Sequence, residues 1–469
     1  MEKRFVIFPF GVIEGLLFVA VALLSSLLLA GPYYMFAIVP ALIPLALYFF
    51  SRFPNIAYFI VVFMIPLGAF RALGGGDTKL LNISWLLGLF LMGFLFYKVI
   101  IGKEPVASLK SNLWPLIGIY FVVNIISAFM SSFPETSFDN IRLSVVAYIF
   151  VLLSVYFASS EKAYVRNIPL ILIASITLNS FLGVIGNLFN IEMFAIEHAK
   201  FTRSRGGTID PNNFSLMAIF SLPLIVNGLS FWKGRLIKVF LIGAFITNIL
   251  GIVFTFSRGG AMMMFFVVGA LFINYIRKLP SRKIGVAIAM IGLISSIVIA
   301  VIPPSFWERQ QTLFAEKKDS SLGRRTSYIY VAADAIKENP ILGSGPGSFR
   351  DIFSESDYAE MYHREGDTKR RFAHNTYLEV LVGTGIVGGA MFLWILQRAI
   401  RNFIEAMKNF DIAGRYEISA ATKAYLFSFG TLLLYLMIFS EMYHKYFLLS
   451  LALSQAALNI SRDKAVSGK

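Results

Sequence analysis

Cysteine is absent from the 469-residue chain, histidine occurs only four times, and charged side chains make up only 15% of it. The absence of cysteine excludes disulfides, thiolate metal sites and a cysteine nucleophile. In soluble domains about a quarter of all residues are charged. The lower charged fraction of this chain and its hydrophobic content of 57% therefore exclude an ordinary soluble enzyme and a disordered chain. Because Asp-x-Asp and His-x₃-His motifs are also missing, we expect no metal site and no cofactor.

Long apolar runs dominate what is present. A membrane-crossing helix needs about 20 mostly apolar residues, and helices are favoured because lipid cannot satisfy an open backbone. The sequence predicts an all-α polytopic membrane protein with about 12–14 transmembrane helices, in which the short runs 56–70 and 446–460 are candidates for re-entrant segments. The expected spans are 8–30, 34–50, 56–70, 83–101, 113–130, 143–158, 168–189, 212–229, 236–256, 259–276, 284–302, 375–397, 424–440 and 446–460.

The formal net charge of +15 falls mainly on one face of the predicted membrane domain. A basic start without a cleavage site indicates an uncleaved first anchor, and the positive-inside rule then places both termini in the cytoplasm. The basicity therefore reflects topology and attraction to anionic membrane lipids. Because no soluble basic domain is present, we expect no nucleic-acid partner. Apolar residues flanked by basic ones at 398–415 predict a helix lying in the cytoplasmic interface.

The longest loop, 303–374, is expected on the periplasmic face and is partly helical. It separates the transmembrane segments 1–200 and 201–302 from the C-terminal segment 375–469. Within it, the stretch from Leu322 to Glu338 has the period of an amphipathic helix, whose apolar face would carry Tyr328, Ile329, Ala332, Ala335 and Ile336. A glycine-rich turn follows, and it lacks the Lys-Ser/Thr of a nucleotide-binding P-loop. Gly345 in this turn fits either a tight turn or close approach to an anion or sugar.

Arginines occur repeatedly at the predicted outer boundary. Arg203 and Arg205 precede Asp210, which can cap the next helix. Arg258 lies in a tight Ser-Arg-Gly-Gly hairpin at a helix N-terminus, where a guanidinium and the helix dipole together favour an anion. Simple snorkelling of a boundary arginine is the alternative.

Two adjacent arginines, Arg324 and Arg325, begin the predicted loop helix. Because cations are disfavoured at a helix N-terminus, this pair indicates either an anionic partner or a solvated end. His374, with Asn375, lies at the outer start of a span, and its ordinary pKa suits proton transfer near neutrality. It can equally be only interfacial. His444 is the second candidate for a base, whereas His198 and His363 are expected to be solvated.

The order of these motifs resembles the O-antigen ligase/polymerase family over about residues 200–390. The residues that carry the resemblance are Arg205-Gly-Gly, Asp210-Pro-Asn-Asn, Thr255-Phe-Ser-Arg-Gly-Gly, Arg324-Arg-Thr-Ser-Tyr, Gly343 to Phe349 and His374-Asn-Thr-Tyr-Leu-Glu. The resemblance implies a bacterial inner-membrane glycosyltransferase of the GT-C type. It also implies a glycan donor on undecaprenyl diphosphate, with lipid A–core or another lipid-linked glycan as the acceptor.

The resemblance further implies catalytic roles for Arg258, His374 and one of Arg324 and Arg325, with Arg325 preferred. Arg205 would contact the diphosphate. Members of this family often have a tryptophan after the loop arginine, where this chain has Tyr328. We therefore expect a substrate-binding set around the catalytic residues that comprises Arg203, Arg205, Arg324, Tyr328, Gly345 and Asn375.

Three functions agree with these features. An O-antigen ligase is favoured over a repeat-unit polymerase because a single periplasmic loop dominates. A transporter or flippase of lipid-linked sugars belongs to another class. Transporters place ionisable residues near the membrane midplane, whereas here the candidate residues gather at one boundary.

Overall fold

A computed structural model describes residues 12–31, 39–68, 83–103, 109–198, 201–208, 210–277, 302–311, 320–362, 368–440 and 442–463, with the single positions 285, 292 and 296. Two predicted features lie outside the described residues. One is the span 284–302, apart from Ile302 and those single positions, and the other is His363. The helices are α1 Val12–Leu29, α2 Val39–Arg52, α3 Pro54–Phe63, α4 Ile83–Ile100, α5 Trp114–Phe129, α6 Pro134–Ala158, α7 Ile168–Leu188, α8 Pro211–Phe231, α9 Arg235–Phe254, α10 Arg258–Ile276, α11 Pro304–Gln311, α12 Ser320–Glu338, α13 Phe349–Ser354, α14 Asp357–Met361, α15 Thr376–Ile412, α16 Tyr416–Tyr435 and α17 Lys445–Arg462.

These helices confirm the predicted class, an all-α polytopic membrane protein. Within the described ranges, five helices are long and apolar enough to cross a membrane, or six if the bent pair Pro44–Arg52 and Pro54–Phe63 counts as one span. That pair bends by 103° in the region of the predicted short run 56–70. The figure of 12–14 crossings stays a prediction. The five helices are Pro134–Ala158, Ala163–Leu188, Pro211–Phe231, Arg235–Phe254 and Thr376–Ile412.

The C-terminal helix α17 lies in the middle of the bundle, packed against α6 and α15. Nearly all of its residues are buried, so its neighbours are protein and not lipid. Several of its polar side chains are hydrogen-bonded there, as is usual for buried polar groups. Gln455 accepts hydrogen bonds from the Ser111 hydroxyl at 3.0 Å and the Asn112 N–H at 3.1 Å. The short apolar run 446–460 is therefore a central core helix.

Helix α15 is broken at Gly385, whose φ of 61° and ψ of −165° are not helical. A break exposes backbone groups that must find partners inside a membrane protein. The glycine-rich turn of the long loop supplies them. Ser344 N–H donates to the Val382 carbonyl at 2.8 Å, Gly345 N–H donates to the Gly383 carbonyl at 2.9 Å, and Ile386 N–H donates to the Pro340 carbonyl at 2.9 Å. The loop is thus held to α15 by its backbone.

The second half of α15 differs from the sequence prediction. The sequence predicts a separate interfacial helix at 398–415, whereas the structure continues the preceding span through Ile412 without a second break. Ala399, Asn402, Phe403, Ala406 and Phe410 are buried along this part, and Ile404 is exposed. Packing of this face against the bundle explains the continuity, because the apolar residues there contact protein.

The loop helix is confirmed as α12, with one correction to its buried face. Tyr328, Ala332 and Ala335 are buried as predicted, but Ile329 is 55% exposed and Val331 takes its place in the core. The sequence predicts no strands, but the described part of the chain contains two. These form an antiparallel hairpin of β1 (Ala195–His198) and β2 (Phe201–Ser204), in which Ile196 pairs with Arg203.

Candidate functional site

A cavity of about 650 Å³ opens where α8, α10 and α15 begin and where α9 and α16 end. Five arginines, one aspartate and one histidine line it among the described residues. This volume lies in the usual range of ligand sites, about 300–1,000 Å³. The lining residues are Arg203, Asp210, Asn212, Ser257, Arg258, Gly259, Met262, Met263, Phe266, Arg309, Arg324, Arg325, Tyr328, His374, Leu434, Met437, Ile438 and Phe439.

The hairpin between α9 and α10 places Arg258 at this cavity. Phe256 adopts a φ of 52°, which turns the chain sharply after α9. The Ser257 hydroxyl accepts the Gly260 N–H at 3.1 Å and donates to Asn212 at 2.8 Å. Arg258 is therefore the first residue of a 19-residue helix, and the positive end of that helix dipole lies beside its guanidinium.

Two further arginines hold this hairpin by its carbonyl groups. Arg203, on β2, donates Nε–H to the Thr255 carbonyl at 2.8 Å, and Arg309, on α11, donates Nε–H to the Phe256 carbonyl at 2.8 Å. Both side chains also line the cavity. Burial is the main cause that lowers the pKa of Arg203; nearby Arg258 also lowers it, while Asp210 opposes the shift. The site therefore gathers positive charge that Asp210 only partly balances.

Helix α12 brings Arg324, Arg325 and Tyr328 to the same cavity. The Arg325 guanidinium carbon lies 5.7 Å from the centre of the Phe439 ring, within cation–π range. Burial, followed by the proximity of Arg258, lowers the pKa of Arg325. A lowered arginine pKa of this kind arises when like charges share a poorly solvated space. An anion that entered the cavity would relieve it.

His374 lies between aromatic rings at the edge of the cavity. Its ring centroid is 5.9 Å from that of Tyr328 and 5.8 Å from that of Phe439, which meets it edge-on. Burial, and then the positive charge of Arg325, lower the pKa of His374 to about 4. The imidazole is therefore neutral near pH 7 and can accept a proton. Its φ of 50° shows that the backbone is left-handed there.

The cavity also has an apolar wall, which extends from the arginines along α10 and α16. Met262, Phe266 and Met437 line this part and are 63%, 56% and 55% exposed. A continuous exposed apolar surface at one side of a charged site fits a ligand with a polar head and a hydrocarbon tail.

Four predicted residues lie elsewhere. Arg205 does not line the cavity; it is directed to the Glu192 carbonyl, at 2.9 Å. Gly345 packs against α15, and a Cβ at its φ of 105° would collide with the Ser131 and Ser137 hydroxyls. Its close approach is therefore to protein and not to an anion. Asn375 caps α15 by accepting the Leu378 N–H at 3.1 Å. His444 is buried and caps α17, accepting the Tyr446 N–H at 3.3 Å.

Sequence reasoning does not identify two contributors. Arg309 lies within the long loop without a recognisable motif, and only its position on the short amphipathic helix α11 could have indicated it. Asp210 is predicted only as a helix cap, and it does cap α8, accepting the N–H groups of Asn212 and Asn213 at 2.7 and 3.2 Å. It also lines the cavity and is the one carboxylate among the described lining residues. In the described part of the chain, no group of three His, Asp or Glu side chains could hold a metal ion.

Comparison with known proteins agrees with the family resemblance. The family model described as O-antigen ligase matches residues 243–393, a segment that includes Arg258, Arg309, Arg324, Arg325 and His374. The chain therefore carries a domain of the O-antigen ligase family, with a ligase- or polymerase-type function, in a multi-pass membrane protein. No curated protein matches the chain.

Proposed function

We propose that the protein is a glycosyltransferase of the bacterial inner membrane, with its site on the periplasmic face. It transfers a glycan from undecaprenyl diphosphate to an acceptor hydroxyl on lipid A–core, with inversion at the anomeric carbon and without a metal. The observation that carries this proposal is the cavity itself, in which five arginines and a neutral histidine adjoin an exposed apolar wall. Such a cavity suits a diphosphate attached to a polyprenyl chain.

The arginines act on the leaving group. As the glycosidic bond breaks, negative charge grows on the oxygen that the diphosphate retains. Guanidinium groups bind phosphate oxygens bidentately, and Arg258 and Arg325 can stabilise that growing charge more strongly than the ground state. Fixed donors aimed at developing charge often account for most of the rate enhancement of an enzyme. Arg203, Arg309 and Arg324 hold the remaining phosphate charge.

His374 acts on the acceptor. A neutral imidazole can take the proton of the attacking hydroxyl as the new glycosidic bond forms, which is worth about 10²–10⁴-fold in rate. In the free protein its pKa of about 4 makes it a weak base. Binding of a diphosphate would neutralise Arg325 and raise that pKa, because a nearby anion favours the protonated ring. The donor would thus activate the base.

A repeat-unit polymerase would use the same site with a second lipid-linked glycan as acceptor. The single dominant loop favours the ligase. A flippase would need ionisable groups along a path through the bilayer, whereas these side chains gather at one end of the helices.

The decisive test is product analysis in proteoliposomes that contain a lipid-linked glycan donor and lipid A–core. We expect the glycan to appear on lipid A–core in the presence or absence of EDTA. Arg258→Ala should lower the transfer rate by at least about 10²–10³-fold, the usual loss for one preorganised donor. Arg142→Ala is the matched control, because Arg142 is an exposed arginine that pairs with Asp139 outside the cavity.

Each alternative gives a different product. Lengthening of the donor glycan without transfer to lipid A–core would identify a polymerase. An unchanged donor recovered on the opposite leaflet would identify a transporter. Full activity of Arg258→Ala would show that the arginine cavity is not part of the mechanism. If EDTA abolished the activity and Mg²⁺ restored it, the proposal of a metal-independent reaction would be wrong.

A further inference from the structure

Glu379, which the proposed mechanism does not use, lies on the far side of the His374 turn. It lines a second cavity of about 290 Å³ together with Ser440 and Arg350. Glu379 is in the first turn of α15. Its carboxylate oxygen Oε1 accepts two hydrogen bonds, one from the Ala373 N–H at 2.8 Å and one from the Ser440 hydroxyl at 2.7 Å.

These two bonds end on residues adjacent to the catalytic cavity. Ala373 precedes His374, and Ser440 follows Phe439, whose ring contacts both His374 and Arg325. One carboxylate thus joins the turn that carries the histidine to the turn that carries its aromatic neighbour. A second tie runs parallel to it, since Thr376 donates its hydroxyl to the Phe439 carbonyl at 2.7 Å.

The backbone of His374 requires such support. Its φ of 50° is uncommon for a residue with a Cβ. Conformations of this kind cost on the order of 1–3 kcal/mol and persist where the surroundings fix them. Asn375 alone separates His374 from the start of α15 at Thr376, so the turn must reach the helix within one residue.

We propose that Glu379 is a positioning residue for His374, holding the imidazole between Tyr328 and Phe439 at the arginine cavity. The role follows from geometry. The carboxylate accepts a hydrogen bond from the N–H of Ala373, the residue before His374, and a second one from Ser440, next to Phe439 in the opposite wall. The inference rests on the proposed function only where it concerns turnover. The position of the imidazole is a property of the protein without substrate.

The test compares Glu379→Leu, which removes the acceptor, with Glu379→Gln, whose amide oxygen can accept both bonds. Glu417→Leu is the control, because Glu417 is an exposed acidic residue in the first turn of α16. The substrate-free readout is the NMR titration of ¹³C-labelled histidine in the full-length protein in detergent. With four histidines in the chain, the signal of His374 is assigned by its loss in His374→Gln.

We expect Glu379→Leu to raise the pKa of His374 from about 4 toward its ordinary 6.5. Without the carboxylate, the imidazole becomes more exposed to water and moves away from the positive charge of Arg325. Arg324, Arg371 and Asp210 are the other charged groups that act on this ring. Turnover should fall by about 10–100-fold, the scale of a 1 Å misplacement, with donor affinity changed less than twofold. Glu379→Gln should keep the His374 pKa and the turnover close to the wild-type values, and Glu417→Leu should match the wild type in both.

Ser440→Ala is a milder variant that keeps the Ala373 bond, and we expect a smaller shift in the same direction. An unchanged His374 titration in both Glu379→Leu and Ser440→Ala would overturn the positioning role. So would equal losses of turnover and donor affinity. If His374→Ala itself keeps full turnover, the proposed base is wrong, and the titration still decides whether Glu379 places the ring.

Discussion

At the residue scale, whether an arginine lines the cavity depends more on its position in the fold than on its presence in a motif. Arg258 and the pair Arg324 and Arg325 can be predicted, because Arg258 begins a helix in an otherwise apolar context and the pair lies in an amphipathic helix that starts at Ser320. Arg203 is also predicted and lines the cavity, whereas Arg205, two positions on, does not. The structure accounts for this difference, because Arg203 lies within strand β2 and Arg205 follows the end of that strand. The sequence contains no clear signal for so short a strand.

The pH dependence of transfer tests the histidine directly. His374 must be neutral to accept a proton, and its pKa in the free protein is about 4. We therefore expect kcat/KM to stay constant as the pH falls through 6.5 and to decline only near pH 4. Because the donor diphosphate raises this pKa, kcat should decline at a higher pH than kcat/KM. Steady-state kinetics at saturating and limiting donor separate the two profiles.

A second measurement with His374→Ala completes this test. Turnover should fall far more than donor affinity, because the imidazole acts on the acceptor. A decline of kcat/KM centred near pH 6.5, or unchanged turnover in His374→Ala, would contradict the assignment. His444 would not be the natural replacement, because it is buried as the cap of α17.

At the element scale, the long loop and the broken helix α15 form one unit. The loop helix can be predicted from its period, but its docking cannot, because it depends on backbone groups released at Gly385. Nothing in local hydrophobicity marks that break. The glycine-rich turn is recognisable in the sequence, but its partner in the structure is another stretch of backbone.

Gly345→Ala tests this docking. The φ of 105° and the hydroxyls of Ser131 and Ser137 leave no room for a Cβ, and we expect a loss of at least about 2 kcal/mol in the free energy of unfolding. Thermal unfolding in detergent measures it. Gly430→Ala is the control, since a Cβ at Gly430 meets nothing within 4 Å and alanine favours a helix by about 1 kcal/mol. Equal midpoints for the two variants would show that the turn does not hold the loop.

At the scale of the whole molecule, the sequence predicts which segments share a face. The loop that carries Arg203, the hairpin at Arg258, the long loop 303–374 and the turn at His444 are all expected on one side. The structure brings residues from each of the first three, together with Phe439, to one cavity. The fold class follows from composition alone. The central position of α17 does not, because a short apolar run looks the same whether lipid or protein surrounds it.

The chemistry of the cavity also appears only at this scale. Five arginines from the four elements β2, α10, α11 and α12 meet an apolar wall formed by α10 and the end of α16. No single motif contains both parts. Their combination leads to the central claim, that the cavity binds the diphosphate of a polyprenyl-linked donor.

The most direct test of that claim is the affinity of the purified protein in nanodiscs for undecaprenyl diphosphate without a glycan. We expect binding that weakens at high salt, an affinity at least about tenfold lower in Arg258→Ala, and no change in Arg142→Ala. Undecaprenol, which lacks the phosphates, should bind much more weakly than the diphosphate. Equal affinities for the two lipids, or equal affinities of the wild type and Arg258→Ala for the diphosphate, would contradict the account.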